Sequence, residues 1–201
     1  MHKREIGIFS GSFNPIHNGH LMLASYLSEF TYLDEVWFVV TPHNPLKDTK
    51  TLIEDDVRLE MVKIAVEGYK KLSASDVEFN MPRPSFTIDT LNRLSIENPD
   101  INFTLIIGAD NWSIFNRWKN ANEIISKYKV LIYPRAGSEI IIPDSYGQNV
   151  QSVNAPVIEV SSTFIRKCIS EGKSMQAFVP EKVYKYIIEK RLYLTSESPE
   201  S

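Results

Sequence analysis

Short apolar runs alternate with amphipathic stretches along most of this chain. The clearest runs are Glu35–Val40, Ile101–Gly108 and Lys129–Tyr133, in which most of the residues are apolar. A nearly continuous apolar run of this length is typical of a strand that is buried on both faces of a parallel sheet. We therefore predict strands at these three positions.

Weaker patterns predict three more strands, at residues 6–9, 76–79 and 156–160. Helices are predicted between the strands where apolar residues recur every three or four positions, as Leu23, Leu27 and Phe30 do. No hairpin pattern precedes residue 137, so strand and helix simply alternate. This order predicts an α/β protein with one Rossmann-like, doubly wound parallel sheet.

Residues 1–194 are predicted to form a single domain. Residues 136–155 are polar and predict a loop or a hairpin, and Ser85 and Thr87 are the predicted caps of the third helix. The polar tail at residues 195–201 is predicted to be disordered.

Composition narrows the classes of function. The 201 residues are 43% apolar and 23% charged, with a net charge of −3, so a general affinity for nucleic acid is not expected. One cysteine, Cys168, allows no internal disulfide. No apolar run reaches the length of a membrane span and no signal-peptide core is present, so we expect a cytoplasmic protein with no membrane partner.

The first predicted strand leads through a loop with two glycines and two histidines into a helix. Gly11 and Gly19 have no Cβ, which lets a phosphate group approach the backbone. His17 and His20 lie at the start of the helix, where free backbone N–H groups favour anions. A glycine-containing loop is weak support for a phosphate site by itself, and the two histidines strengthen it.

Other candidate residues have ordinary structural explanations as well. Ser161 and Arg166 could be a helix cap followed by a solvated arginine, and Trp118 could be a core residue. Lys47 and Arg135 could be solvated surface cations. The sequence has no CxxC or HExxH pattern and no tight group of carboxylates, so no protein metal site is predicted.

Four segments together resemble one family. Residues 11–20, GSFNPIHNGH, resemble the first signature of the nucleotidyltransferase superfamily, and residues 160–166, VSSTFIR, match its second signature. Residues 84–91, PSFTIDTL, and the GAD motif at 108–110 followed by Trp118 are similar to motifs of bacterial nicotinate-nucleotide adenylyltransferases. Ser12 and Asn14 differ mildly from the usual residues of that family.

The resemblance implies the nucleotidyltransferase fold and the synthesis of nicotinate adenine dinucleotide and pyrophosphate from ATP and nicotinate mononucleotide. The implied catalytic residues are His17, His20 and Arg166. The implied ATP-binding residues are Gly11, Ser12, Phe13, His17, Gly19, His20, Gly108, Asp110, Ser162, Thr163 and Arg166. The implied residues for nicotinate mononucleotide are Ser12, Lys47, Thr87, Trp118 and Arg135.

The implied cofactor is Mg²⁺, bound through the phosphates of ATP and not by a protein cage. Two alternatives stay open: a sister enzyme that uses nicotinamide mononucleotide or phosphopantetheine, and a non-catalytic nucleotide sensor. Loss of the histidines or of Arg166 would indicate a sensor, and all three are present. Self-association into a homo-oligomer is also left open.

Overall fold

The computed structural model describes residues 3–42 and 52–194. The strands in these ranges are β1 (Arg4–Gly11), β2 (Glu35–Val40), β3 (Leu72–Ser75), β4 (Ile101–Gly108), β5 (Lys129–Tyr133) and β6 (Val150–Ser152). The α-helices are α1 (Asn18–Phe30), α2 (Asp55–Val66), α3 (Thr87–Glu97), α4 (Ala109–Trp112), α5 (Ala121–Lys127), α6 (Ser162–Ser170) and α7 (Glu181–Glu189).

All strand pairs are parallel, and the sheet has the order β3-β2-β1-β4-β5-β6. This confirms the predicted doubly wound α/β fold. The order of the strands reverses between β1 and β4, which are paired from Arg4 with Ile101 to Ile8 with Leu105. In such sheets ligands bind outside the carboxyl ends of the strands at this switch point.

The sheet is covered on both faces, as its apolar strands predict. Phe38 and Val39 are both fully buried but belong to different apolar clusters, because successive side chains of a strand point to opposite faces. One cluster contains residues of α1, α2, α6 and α7, and the other contains residues of α3, α4 and α5. With both faces covered, a ligand can approach the sheet at the carboxyl ends of the strands.

Two predicted strands were wrong in position. Residues 76–79 are not a strand, because Val77–Asn80 form a 3-10 turn and β3 lies just before it. Residues 156–160 have strand-like residues but no strand partner, and β6 lies earlier, within the segment predicted as a loop or hairpin. Val77 and Phe79 pack against the core without a ladder of backbone hydrogen bonds, whereas Val157 of the second segment is 52% exposed.

Helix details differ from the prediction at the surface. Phe30 is 73% exposed, because α1 ends there and its ring stacks on Tyr26 at the surface. The cap of α3 is Phe86, without a side-chain bond, whereas Ser85 donates its hydroxyl to Glu78.

Lys47 and the tail at 195–201 lie outside the described residues, so the boundary at residue 194 stays a prediction.

Across residues 3–42 and 52–194, none of the helices combines the length and the apolar composition that crossing a membrane requires.

Candidate active site

Residues 11–20, here called the signature loop, connect the end of β1 to the start of α1. His17 is the cap residue of α1, with an extended backbone, and its N–H donates to Nδ1 of His20 at 3.3 Å. The two imidazole rings are stacked with their centroids 3.6 Å apart. Because Nδ1 of His20 accepts a hydrogen bond, the neutral ring carries its proton on Nε2, which is then a donor for a ligand.

His17 is the more deeply buried of the two histidines, with 4% of its surface exposed. Its Nδ1 atom is buried and has no hydrogen-bond partner among the described residues. Burial, with a smaller contribution from the positive charge of Arg135, lowers the pKa of His17 to about 4. The ring is therefore neutral near pH 7, so stacking it against His20 does not place two positive charges side by side.

The turn of the signature loop depends on close packing. Phe13 has a φ of +46°, an unusual value for a bulky residue, and its buried ring packs edge-on against Phe9, Phe38 and His20. A Cβ on Gly19 would lie 3.1 Å from the His17 ring. A larger residue at position 19 would therefore press on the His17 ring, which would have to shift by a few tenths of an ångström.

The second signature packs directly on the first. Ser161 caps α6 by accepting the N–H of Phe164 at 3.2 Å. Ser162 donates its hydroxyl to the carbonyl of Pro15 at 2.9 Å, across 147 residues of sequence. The two signatures therefore form one surface at the ends of α1 and α6.

Arg166 also connects the two signatures. Its Nη1 donates to the Asn14 carbonyl at 2.9 Å, and its Nη2 lies 3.4 Å from the Thr163 hydroxyl. The guanidinium thus lies against the signature loop, one helical turn from the start of α6. The signature loop is also held from the end of the chain, where Tyr193 donates its hydroxyl to Asn14 Oδ1 at 2.9 Å.

Arg135 lies next to the histidines. Together with His17, Gly19 and His20 it lines a narrow recess, here called the histidine cleft. Its Nε is 3.8 Å from Oδ1 of Asp110, and its Nη2 donates to the Tyr133 hydroxyl at 3.3 Å. This places two predicted residues, Asp110 and Arg135, in contact, although they were assigned to different substrates.

A larger pocket opens at the carboxyl ends of β1 and β4, and we call it the switch-point pocket. Its lining includes Gly11, Gly108, Thr87 and Trp118, all of which were predicted as binding residues. Thr87 is the first residue of α3, so the positive end of that helix lies at the pocket wall. The structure thus brings the middle motifs of the sequence together around one cavity.

Trp118 forms part of one wall of the switch-point pocket. Its ring packs on Phe115 with the centroids 5.3 Å apart, and the side chain is only partly buried. Its Nε1 is buried without a hydrogen-bond partner among the described residues. A core tryptophan normally satisfies this donor, so the position suits a ring that meets a ligand better than one that only fills the core.

Sequence reasoning missed a buried carboxylate at this pocket. Glu78 is 4% exposed and accepts hydrogen bonds from Ser85 at 2.6 Å and from Thr90 at 2.8 Å. Burial raises the pKa of Glu78, and bonds from Ser85, Thr90 and Thr41 oppose that rise. The apolar residues on either side of Glu78 had suggested a strand and concealed this role.

Cations on the other wall were also missed. Arg117 and Lys119 both line the switch-point pocket, on either side of Trp118 in the sequence. Lys119 pairs with Asp89 at 2.9 Å and lies over the Phe86 ring at 4.5 Å. The sequence could have indicated them, because both cations are adjacent to the motif tryptophan Trp118.

Arg58 is the fourth residue that was missed. It is fully buried, with 0% exposure, and it donates to the carbonyls of Ser12 at 2.6 Å and Thr41 at 2.9 Å. It also pairs with Asp55. The available signal was an arginine at a core-facing position of α2, in register with the buried Met61 and Ala65.

Within the described ranges no group of three or more His, Cys, Asp or Glu residues is arranged to hold a metal ion. The polar side chains of the signature loop and α6 include imidazoles, hydroxyls and a guanidinium. Such donors fit a ligand that carries negative charge, including a phosphate chain that brings its own divalent cation.

Comparison with known proteins agrees with this geometry. The cytidylyltransferase-like family matches residues 8–168. A probable nicotinate-nucleotide adenylyltransferase of Bacteroides fragilis is 52% identical over 94% of this chain and 94% of its own length. A protein of the same description from Bacteroides thetaiotaomicron is 48% identical over 93% and 92% of the two chains.

Solved structures give the same fold. The nicotinic acid mononucleotide adenylyltransferase of Plasmodium falciparum, in complex with NaAD, superimposes with a TM-score of 0.78 and 22% identity, covering 94% of this chain and 97% of that one. Identity at that level supports the fold alone, whereas the relatives that are 52% and 48% identical show the family. The chain therefore belongs to the cytidylyltransferase-like family and, within it, to the nicotinate-nucleotide adenylyltransferases.

Proposed function

We propose that this chain transfers the adenylyl group of ATP to nicotinate mononucleotide. The products are nicotinate adenine dinucleotide and pyrophosphate, and the reaction belongs to NAD biosynthesis. The observation that carries the proposal is the contact between the two signatures, in which Ser162 and Arg166 bind the backbone of the signature loop. This contact places two helix N-termini and two imidazoles beside the switch-point pocket.

The reaction needs no protein nucleophile. An ionised 5′-phosphate oxygen of the acceptor attacks the α-phosphorus of ATP, a new P–O bond forms, and the bond from the α-phosphorus to the bridging oxygen breaks. The electron pair leaves with pyrophosphate. No proton has to be removed from the attacking group, so catalysis requires alignment of the two phosphates and stabilisation of the charge that develops on the leaving group.

The histidine cleft suits the leaving group. His20 presents Nε2–H as a donor, since its Nδ1 accepts from the backbone. Arg166 supplies a positive charge, and its fork geometry fits phosphate oxygens. We assign His17, His20 and Arg166 to the triphosphate, with the backbone of Gly11, Ser12, Phe13 and Gly19 and the hydroxyls of Ser162 and Thr163 as further contacts.

Mg²⁺ would be held mainly by the phosphates of ATP, where it neutralises charge on the pyrophosphate as it leaves. The side chains assigned to the triphosphate include no carboxylate, the usual side-chain ligand of Mg²⁺ in proteins.

The switch-point pocket suits the acceptor. Trp118 offers a face for the pyridine ring, and the N-terminus of α3 at Thr87 offers backbone donors to its carboxylate. We place Gly108 and Asp110 at a ribose. Arg135 lies in the histidine cleft, so we propose that it reaches a phosphate near the junction of the two substrates. The contacts of Ser12 and Lys47 with nicotinate mononucleotide stay predictions.

The test is pyrophosphate release from Mg-ATP with nicotinate mononucleotide, nicotinamide mononucleotide and phosphopantetheine offered separately. We expect fast release with the first acceptor alone. Equal rates with both mononucleotides would keep the chemistry and contradict the acid preference. Absence of release with every acceptor, despite measurable ATP binding, would favour a sensor.

The wider assignments rest on sequence. A cytoplasmic location, the lack of a nucleic-acid partner and self-association into a homo-oligomer stay predictions.

A further inference from the structure

Thr41 lies where three parts of the site meet. It follows β2 directly, it is buried, and it lines the switch-point pocket. Its N–H donates to the carbonyl of Gly11 at 2.9 Å, which ties it to the first residue of the signature loop. Its carbonyl and its hydroxyl are both bound by buried charged side chains that belong to neither signature.

The first of these side chains is Arg58. Its Nη1 donates both to the Thr41 carbonyl and to the Ser12 carbonyl, so one guanidinium joins the end of β2 to the signature loop. Its Nε donates to Ile53 at 3.1 Å. Arginine is buried at a large cost unless its donors are satisfied, and here backbone carbonyls and Asp55 satisfy them.

The second is Glu78. The hydroxyls of Ser85 and Thr90 donate to its two carboxylate oxygens, and the Thr41 side chain hydrogen-bonds the same carboxylate. Ser85 lies two residues before Thr87 and also lines the pocket. The carboxylate thus fixes the segment that leads into α3.

A second link runs parallel to the first. Asp55 pairs with Arg58 and, through its other oxygen, with Arg83 at 2.9 Å. Arg83 immediately precedes the Pro84–Thr87 motif. The segment before α3 is therefore connected to the signature loop along two routes. One passes through Glu78 and Thr41, and the other passes through Asp55 and Arg58.

We propose that Arg58 and Glu78 are positioning residues which, through Thr41, hold the signature loop and the acceptor wall of the switch-point pocket at a set separation. This inference rests on the proposed function. In-line transfer between two bound phosphates is sensitive to their separation, and a misplacement of about 1 Å can cost on the order of 100-fold in rate. The network acts on the geometry between the two substrates and not on the binding of either one.

The direct test replaces Thr41 with valine, which removes the hydroxyl but keeps the shape and both backbone bonds. We expect turnover with both substrates saturating to fall about tenfold. The dissociation constants of ATP and of nicotinate mononucleotide, each measured alone by calorimetry, should stay within about twofold of the wild type. Thr41→Ser, which keeps the hydroxyl, should restore turnover.

Thr104→Val is the matched control. Thr104 is also fully buried in the sheet and its hydroxyl bonds Tyr32 at 3.2 Å, but it does not line the switch-point pocket. It should lower stability as Thr41→Val does and leave turnover unchanged. Equal loss of turnover in both variants, or normal turnover in Thr41→Val, would overturn the proposal.

A double-mutant cycle separates this inference from the proposed function. Thr41→Val and Glu78→Gln should shift the denaturant midpoint less together than the sum of their separate shifts, because they break one network. Additive shifts would overturn the link whatever the activity. A wild-type protein that turns over none of the three acceptors would instead refute the proposed function, and the cycle would still test the contact.

Discussion

The histidine cleft and the switch-point pocket take their polar groups from different parts of the chain. At the histidine cleft, the residues proposed to bind the triphosphate also contact one another: the His17 N–H donates to His20, and Arg166, from the neighbouring α6, donates to the signature loop. In the switch-point pocket, Thr87 and Trp118 are positioned by residues outside any motif, such as Glu78 and Phe115. The histidine cleft can therefore be predicted from sequence motifs, whereas the switch-point pocket depends on residues outside the motifs.

The difference follows from what each region has to bind. A triphosphate needs several fixed donors within a few ångströms, and a short loop at a helix start can carry them on neighbouring residues. A flat ring with one carboxylate needs a cavity of a given shape, and a cavity is built from many elements. The predictions below test whether the two regions fail in different ways when they are altered.

The largest effect is expected at His20. His20→Ala should reduce turnover about 100-fold or more, because a donor to the developing charge is lost. Stopped-flow or steady-state pyrophosphate release measures it, and circular dichroism verifies the fold. His20→Asn keeps an amide donor and should recover part of the rate. A folded alanine variant with normal turnover would remove His20 from the mechanism.

Arg166→Lys should come next, with kcat/KM for ATP lowered about 30-fold. Lysine keeps the charge but cannot donate two parallel bonds, and it cannot span the loop carbonyl and a phosphate together. The KM for nicotinate mononucleotide should change little. If KM for both substrates rises equally, the distinction between the two regions fails at this residue.

Trp118→Ala should act on the acceptor alone. Loss of the stacking face should raise the KM for nicotinate mononucleotide about tenfold, since stacking on a base is worth roughly 1–3 kcal/mol. Trp118→Phe keeps a ring and should lie near the wild type. A change in the KM for ATP of the same size would indicate collapse of the pocket and not loss of stacking.

The smallest expected effect is a pH dependence of stability from His17. Its pKa is about 4 in the folded chain and near 6.5 when unfolded, so below about pH 6.5 the unfolded chain binds more protons. The free energy of unfolding should fall by about 1 kcal/mol between about pH 7 and 5.5 from this group. Urea unfolding of the wild type and of His17→Asn at several pH values gives the free energy of unfolding as a function of pH for each protein. The wild type should show the steeper dependence on pH. The same dependence in both proteins would contradict the buried neutral ring.

The longer strands of the sheet were predictable because each one has a local run of apolar residues. Ile101–Gly108 is mostly apolar and became β4 with the predicted bounds. β3 and β6 were not predictable in the same way: Leu72–Ser75 is short, small and half polar, and it is a strand only because β2 is beside it. Residues 156–160 have the residues of a strand but no neighbour to pair with.

The residues of the site differ in the same way, because some were predictable from local sequence and others were not. His17, His20 and Arg166 were identified from contiguous motifs, and the structure brings all three to one region. Arg58 and Glu78 were not, since their roles depend on carbonyls and hydroxyls far along the chain. The contact of Arg135 with Asp110 likewise depends on how two strand ends lie side by side.

The bond between Tyr193 and Asn14 spans 179 residues, and it has a consequence for biosynthesis. The signature loop is synthesised well before Arg166, the Phe178 carbonyl that accepts from Asn18, and Tyr193. The growing chain can form its early strands and helices while the loop still lacks these three partners. We therefore expect the loop to reach its final contacts only after Tyr193 has left the ribosome.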